Sequence, residues 1–162
     1  MVIREMIEAD IDLLTSILGW PRAGMANRYR EQVEGKRRIL VAEAGGLPVG
    51  CVSVNEDDAV PGLLHLFALD VAPSFQRRGV GTALIRRIES EAEQRPFEGI
   101  WLDVEITNED ARRLYERLGF QREEGIVVNR YTSLTSGESV EETCYRMFKR
   151  SRGSRRRLEL DS

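Results

Sequence analysis

At 162 residues, with 41% hydrophobic and 31% charged side chains, the chain has the composition of one ordinary globular domain and lies far from the disordered, collagenous and disulfide-scaffold classes. The N-terminal stretch MVIREMIEAD is mixed in charge and lacks an apolar run, so we expect neither a signal peptide nor a membrane span, and a cytoplasmic protein. The net charge of -3 divides into -7 for residues 1–148 and +4 for the last fourteen, a balance that suits a cationic amine partner and argues against nucleic acid.

In chain order, Val2 to Glu5 reads as a short strand and Asp10 as a helix N-cap. Ile11, Leu14, Ile17 and Leu18 then form one apolar helix face, which Gly19-Trp20-Pro21 ends. A second helix is predicted from Ala23 to Glu34, with Met25, Tyr29 and Val33 on one face and Gly35 closing it. Ile39 to Ala44, the Gly45-Gly46 turn and Val49 to Val54 give the strongest hairpin signal in the chain. Glu56-Asp57-Asp58 and Pro61-Gly62 lead to Leu63–Val71, LLHLFALDV, a nearly continuous apolar run that needs both of its faces covered. Ala72-Pro73-Ser74 ends that strand.

The stretch Gln76-Arg77-Arg78-Gly79-Val80-Gly81-Thr82 follows. Beyond it Val80, Ala83, Leu84, Ile88 and Ala92 recur at helical spacing, so the order is strand, glycine loop, helix. Glycines at a helix mouth let the backbone approach a ligand while unpaired N–H groups point outward, which makes an anion site, most simply for a pyrophosphate. Arg77 and Arg78 add positive charge at its rim. No Gly-Lys-Ser/Thr follows, and Leu84 stands where a dinucleotide fingerprint has its third glycine.

Pro96 and Gly99 break the helix pattern, and Ile100 to Ile106 alternates, with Trp101, Asp103 and Glu105 sharing one face. This segment is expected to lie parallel to Leu63–Val71 through a helical crossover. Asn108 caps a helix whose Ala111, Leu114, Tyr115 and Leu118 form an apolar stripe, and Gly119 ends it. Phe120–Tyr131 and Glu142–Phe148 read as two last strands joined by a polar loop, Thr132 to Glu141. The expected fold is α/β: a mixed, mostly antiparallel sheet of six or seven strands with helices on both faces, in a single domain over 1–150. Residues 151–162 read as a basic, disordered tail. Cys51 and Cys144 sit inside strand-like runs without CxxC spacing and are expected to be buried thiols, and a single histidine, His65, argues against a metal site.

The larger pattern is Leu69-x-Val71-x-Pro73, then Gln76-x-x-Gly79-x-Gly81, then Asn108-x-x-Ala111-x-x-Leu114-Tyr115-x-x-Leu118-Gly119-Phe120. Over roughly Ile39 to Met147 it resembles the GCN5-related N-acetyltransferase (GNAT) superfamily. The resemblance implies a splayed central parallel pair of strands with acetyl-CoA in the resulting V, and a bulge near Leu69 and Asp70. It assigns the N–H of Leu69 or Val71 to the acetyl carbonyl and pantetheine amides, and Gln76, Arg77, Arg78, Gly79, Val80, Gly81 and Thr82 to the pyrophosphate. Asn108, Ala111 and Tyr115 would line the pantetheine arm. The first two helices border the acceptor site in the family and vary there.

Acetyl transfer from a thioester to an amine needs a neutral amine, a donor facing the oxyanion and a proton for the leaving thiolate. Cys51 in VGCVSV has no charged setting, so direct attack is expected rather than a covalent enzyme intermediate. By resemblance Tyr115 is the general acid. Three residues stay open as the base: His65, four residues before Leu69; Asp103, which matches the acid that ribosomal-protein-acetylating relatives carry; and Glu105 on the same face. The acceptor, a protein N-terminus, a lysine or a small-molecule amine, is not specified by these residues, and neither is homodimer formation. A non-catalytic acyl-CoA-binding sensor is the alternative function.

Overall fold

The computed structural model describes residues 1–56, 59–95, 97–133 and 136–152. Asp57, Asp58, Pro96 and the expected tail beyond Arg152 lie outside the described residues. The strands are β1 (Val2–Glu5), β2 (Arg38–Ala44), β3 (Leu47–Glu56), β4 (Leu63–Val71), β5 (Gly99–Glu105), β6 (Gln121–Arg122), β7 (Val127–Thr132) and β8 (Ser139–Arg150). The helices are α1 (Asp10–Leu18), α2 (Arg22–Val33), α3 (Val80–Gln94) and α4 (Glu109–Arg117), with a 3-10 turn at Pro73–Phe75. The chain forms two compact units. One is Met1–Asn55 with Leu66–Ile88; the other is Glu56–His65 with the described residues from Glu89 onward, so β4 and α3 each contribute to both.

In the first unit the strands run in the order β1-β2-β3-β4. The Gly45-Gly46 turn joins β2 to β3 antiparallel, and both glycines take positive φ, 58° and 80°, a conformation most side chains resist. Alternation along β3 sends Cys51 and Gly50 to opposite faces. Cys51 joins Met6, Ile11, Leu14, Met25, Ile39 and Val41 in the core under α1 and α2. On the Gly50 face a Cβ would stand 3.0 Å from both the Asp70 carbonyl and Val80 Cγ1, so the start of α3 packs where only hydrogen fits. Helices thus cover both faces of β3, as the apolar runs require.

Asp10 is not the N-cap its position suggests. Ala9 caps α1 without a side-chain bond, and Asp10, the first helical residue, is 2% exposed. Its carboxylate accepts from both terminal nitrogens of Arg4, at 2.7 and 2.8 Å, and from the Ile7 N–H at 2.9 Å. The charge from β1 outcompetes the local cap, because a bidentate guanidinium satisfies a buried carboxylate better than amides alone.

In the second unit the order is β4-β5-β8-β6, with β7 also on β8. Leu63–His65 pairs parallel with Gly99–Trp101, as expected of the crossover. β8 runs antiparallel along the whole of β5, from Gly99 opposite Arg150 to Glu105 opposite Cys144. A Cβ on Gly99 would fall onto the Lys149 carbonyl oxygen, so this close approach of β5 to β8 needs glycine. The single strand predicted over Phe120–Tyr131 is two strands, β6 and β7, because Gly125 at φ 83° turns the chain between them; the described residues form eight strands where six or seven were expected. Asn108 does cap α4, its side chain accepting from the Ala111 N–H at 3.2 Å, and Gly119 at φ 94° ends that helix.

Candidate functional site

In the first unit, the Ala72 N–H donates to the Val49 carbonyl at 2.8 Å and ties the end of β4 to β3. The chain then makes the Pro73–Phe75 turn, and Gln76 reaches back, its side-chain amide donating to the Val71 carbonyl at 3.2 Å. Arg77 (φ 61°) and Gly79 (φ 82°) both take left-handed backbone, and such a conformation beside right-handed residues turns successive N–H groups toward one concave side. The first bond of α3 runs from the Ala83 N–H to the Gly79 carbonyl at 3.0 Å, so the N–H groups of Val80, Gly81 and Thr82 precede the intrahelical ladder. A Cβ on Gly79 would meet nothing within 4 Å, leaving the approach open. Arg78 lies over the Phe75 ring at 5.5 Å. Main-chain donors, the positive helix end and two arginines suit a pyrophosphate, so the residues present fit the expected carrier.

Just upstream, Ala68 has φ 51°, rare for a residue with a side chain. Phe67 lies 4.8 Å under the Arg37 guanidinium, and Arg37 donates to Ser53 Oγ at 3.1 Å. Asp70 accepts from Arg28 Nη1 at 2.9 Å. The left-handed backbone of Ala68 departs from regular strand geometry within β4, next to Leu69 and Asp70 where the resemblance implies a bulge. Burial pushes the Asp70 carboxyl up against the opposing pull of Arg28, and burial drives the Cys51 thiol up to about 12.

In the second unit, β5 presents Trp101, Asp103 and Glu105 from one face. Asp103 accepts from Arg146 Nε at 2.9 Å and Nη2 at 3.0 Å, and from the Asn129 amide at 3.0 Å. The same guanidinium lies 4.5 Å from the Trp101 ring, and His65 stacks on that ring at 3.8 Å with planes 4° apart. Glu105 is exposed at the end of β5, and the charge of Glu142 on β8 raises its pKa. Tyr131 donates its hydroxyl to Glu142 Oε1 at 2.7 Å, and that bond pushes the phenol up to about 12. On α4, Tyr115 is 7% exposed, with its ring edge-to-face against Phe120 at 5.8 Å, one turn beyond Ala111.

The first unit therefore gathers Leu69, Asp70, Val71 and Gln76 to Thr82 along one continuous path. The second gathers His65, Asp103 and Glu105 on neighbouring strands and carries Asn108, Ala111 and Tyr115 on α4. Sequence reasoning missed Arg28, Asn129, Tyr131, Glu142 and Arg146. Only Arg146 had a readable signal, since pairing β8 against β5 in register sets it opposite Asp103. Among the described residues, no group of three or more His, Cys, Asp or Glu side chains is placed to hold a metal ion.

A strand kinked at Ala68 that runs into a glycine loop at a helix mouth has the main-chain geometry of an anion site. Residues 5–120 match the Acetyltransferase (GNAT) family, and the chain belongs to it. It is similar to the [ribosomal protein bS18]-alanine N-acetyltransferase of Escherichia coli K12, 39% identical over 72 residues, 44% of this chain and 47% of that one. The chain thus spans about half the length of the curated relatives it matches. Among solved structures, the ribosomal-protein-S18-alanine N-acetyltransferase of Escherichia coli superposes with TM-score 0.67 at 25% identity, covering 92% of each chain. The ribosomal-protein-alanine N-acetyltransferase of Brucella melitensis, 19% identical, shares the fold with TM-score 0.69 over 93% of this chain and 99% of that one.

Proposed function

We propose that this chain is a cytoplasmic N-acetyltransferase that moves the acetyl group of acetyl-CoA directly onto a primary amine, within a single domain over 1–150. The observation that supports the reading is the left-handed backbone at Ala68, Arg77 and Gly79, which breaks regular structure where β4 runs into the loop before α3. When bound, acetyl-CoA supplies the activated acyl group; everything else is asked of the chain's own residues.

In this reading the N–H groups of Val80, Gly81 and Thr82 hold the pyrophosphate, with Gln76, Arg77, Arg78 and Gly79 shaping the loop. The main chain at Leu69, Asp70 and Val71 orients the acetyl carbonyl and stabilises negative charge on its oxygen. Asn108 and Ala111 border the pantetheine arm. Tyr115 donates its hydroxyl proton to the departing thiolate. The amine's proton goes to one of Glu105, Asp103 and His65. Glu105 is favoured: its oxygens face water and Glu142, whereas Asp103 is already taken by Arg146 and Asn129 and His65 is stacked on Trp101.

For the acceptor we favour the N-terminal amine of a protein, because the relatives named above act on alanine of a ribosomal protein. Incubation of the purified chain with acetyl-CoA and a panel of Ala-, Ser- and Met-initiated peptides, lysine peptides and polyamines, read by mass spectrometry, tests this. Acetylation confined to peptide α-amines supports the acceptor assignment. Acetylation of polyamines alone overturns it while leaving the enzyme reading intact.

A further inference from the structure

A residue bearing a side chain is held at positive φ only where its neighbours leave it no alternative. Ala68 is such a residue, and both of its flanks are gripped. Upstream, Phe67 is covered by Arg37, which is itself paired with Glu31 of α2. Downstream, Asp70 is paired with Arg28 of α2, and the two side chains are only 23% and 13% exposed. Arg28 is fixed in turn, since its guanidinium lies 4.4 Å from the Trp20 ring.

We propose that Arg28 is a positioning residue for the acyl end of the site: from α2 it holds Asp70, and through Asp70 it holds the kink at Ala68 that presents the main chain of Leu69–Val71. Asp70 is unfavourable as a buried charge without a partner. Deprived of Arg28, its carboxylate gains most by turning toward water. That rotation releases the left-handed kink and returns Ala68 to ordinary extended backbone. Arg28 therefore acts on the reacting carbonyl without touching it. The inference rests on the acetyl-transfer reading above, and its test keeps the two separable.

The test compares Arg28→Lys, Arg28→Gln and Arg28→Gln combined with Ala68→Gly, each measured for thermal unfolding, acetyl-CoA affinity by calorimetry, kcat and acceptor KM. Glycine adopts positive φ without the steric penalty alanine meets, a difference equivalent to about tenfold in the population of the kinked strand. Arg28→Gln should lower kcat about tenfold or more with acceptor KM within a few-fold, Arg28→Lys should fall between, and Ala68→Gly should recover most of the loss. Wild-type kcat in Arg28→Gln overturns the proposal. So does a loss confined to acceptor KM, which marks a direct acceptor contact, or a loss that Ala68→Gly leaves in place. If Arg28→Gln does not fold, the Lys variant with and without Ala68→Gly gives the same comparison. If the wild type binds acetyl-CoA but acetylates no amine, the enzyme reading fails, and the inference is then judged on acetyl-CoA affinity, weakened by Arg28→Gln and restored by Ala68→Gly.

Discussion

Arg146 holds Asp103 through Nε and Nη2 at 2.9 and 3.0 Å while its guanidinium lies over Trp101. Asn129 also donates, so three hydrogen bonds converge on the Asp103 carboxylate. Two residues further along β5, Glu105 is in the opposite situation: its neighbour is another carboxylate, Glu142, whose charge raises its pKa. Like-charged neighbours raise one carboxyl's pKa, the direction in which a general base gains basicity.

Replacing Glu142 by Gln removes that charge, so the Glu105 carboxyl should titrate lower. With Glu105 as the base, the acid limb of the kcat/KM profile moves to lower pH in Glu142→Gln, and Glu105→Gln costs about two to four orders of magnitude in kcat/KM. An unmoved acid limb in Glu142→Gln, with Asp103→Asn abolishing turnover instead, would return the role to Asp103.

Tyr131 carries its own pH signature. Its folded-state pKa, about 12, lies above the ordinary phenol value, so the stabilisation from its bond to Glu142 is fully present below about pH 10 and is lost as pH rises through about 12. In ultraviolet titration, Glu142→Gln should move one tyrosine's ionisation from about 12 back toward 10, seen as a difference between the wild-type and variant curves. Superimposable curves would break this assignment.

Cys51 is 1% exposed and its thiol is pushed up to about 12 by burial. The native protein should leave this thiol unalkylated by iodoacetamide at pH 8, and Cys51→Ala should retain kcat within a few-fold. A loss of about a hundredfold with the fold intact would reinstate a covalent acyl-enzyme route, since nucleophile removal costs at least that much.

Gly99→Ala sets a methyl group against the Lys149 carbonyl, where neither main chain can yield without breaking the β5–β8 ladder. Overpacking against backbone should cost about 3 kcal/mol or more. A chemical-denaturation midpoint unchanged from wild type would show that the two strands separate more easily than their register suggests.

What could be read from the sequence was local. The Gly45-Gly46 hairpin, the glycine loop before Val80 and the Asn108 cap each follow from residues within a turn or a strand of one another, and the parallel pairing of β4 with β5 follows from the helical crossover between them. The left-handed Ala68 follows from no period in LLHLFALDV. What escaped depends on distant partners. Asp10 looks like a cap until Arg4 takes it, while Asp70 and Asp103 are claimed by arginines 42 and 43 positions away. Such pairs leave no trace in periodicity, because strand register and helix docking bring them together only after folding. The extra strand escaped for a humbler reason: Glu123-Glu124-Gly125 is a short turn inside an otherwise strand-like run.

The proposed acetyl transfer, with Tyr115 giving the proton, stands or falls with Tyr115→Phe. The substitution removes one hydroxyl and keeps the ring that packs edge-to-face on Phe120. Measured side by side with wild type on the best peptide acceptor, the variant should bind acetyl-CoA within a few-fold and unfold at nearly the same temperature, while kcat falls about a hundred- to a thousandfold. A variant that loses stability but keeps its full turnover per folded molecule would contradict the claim and make Tyr115 a core residue.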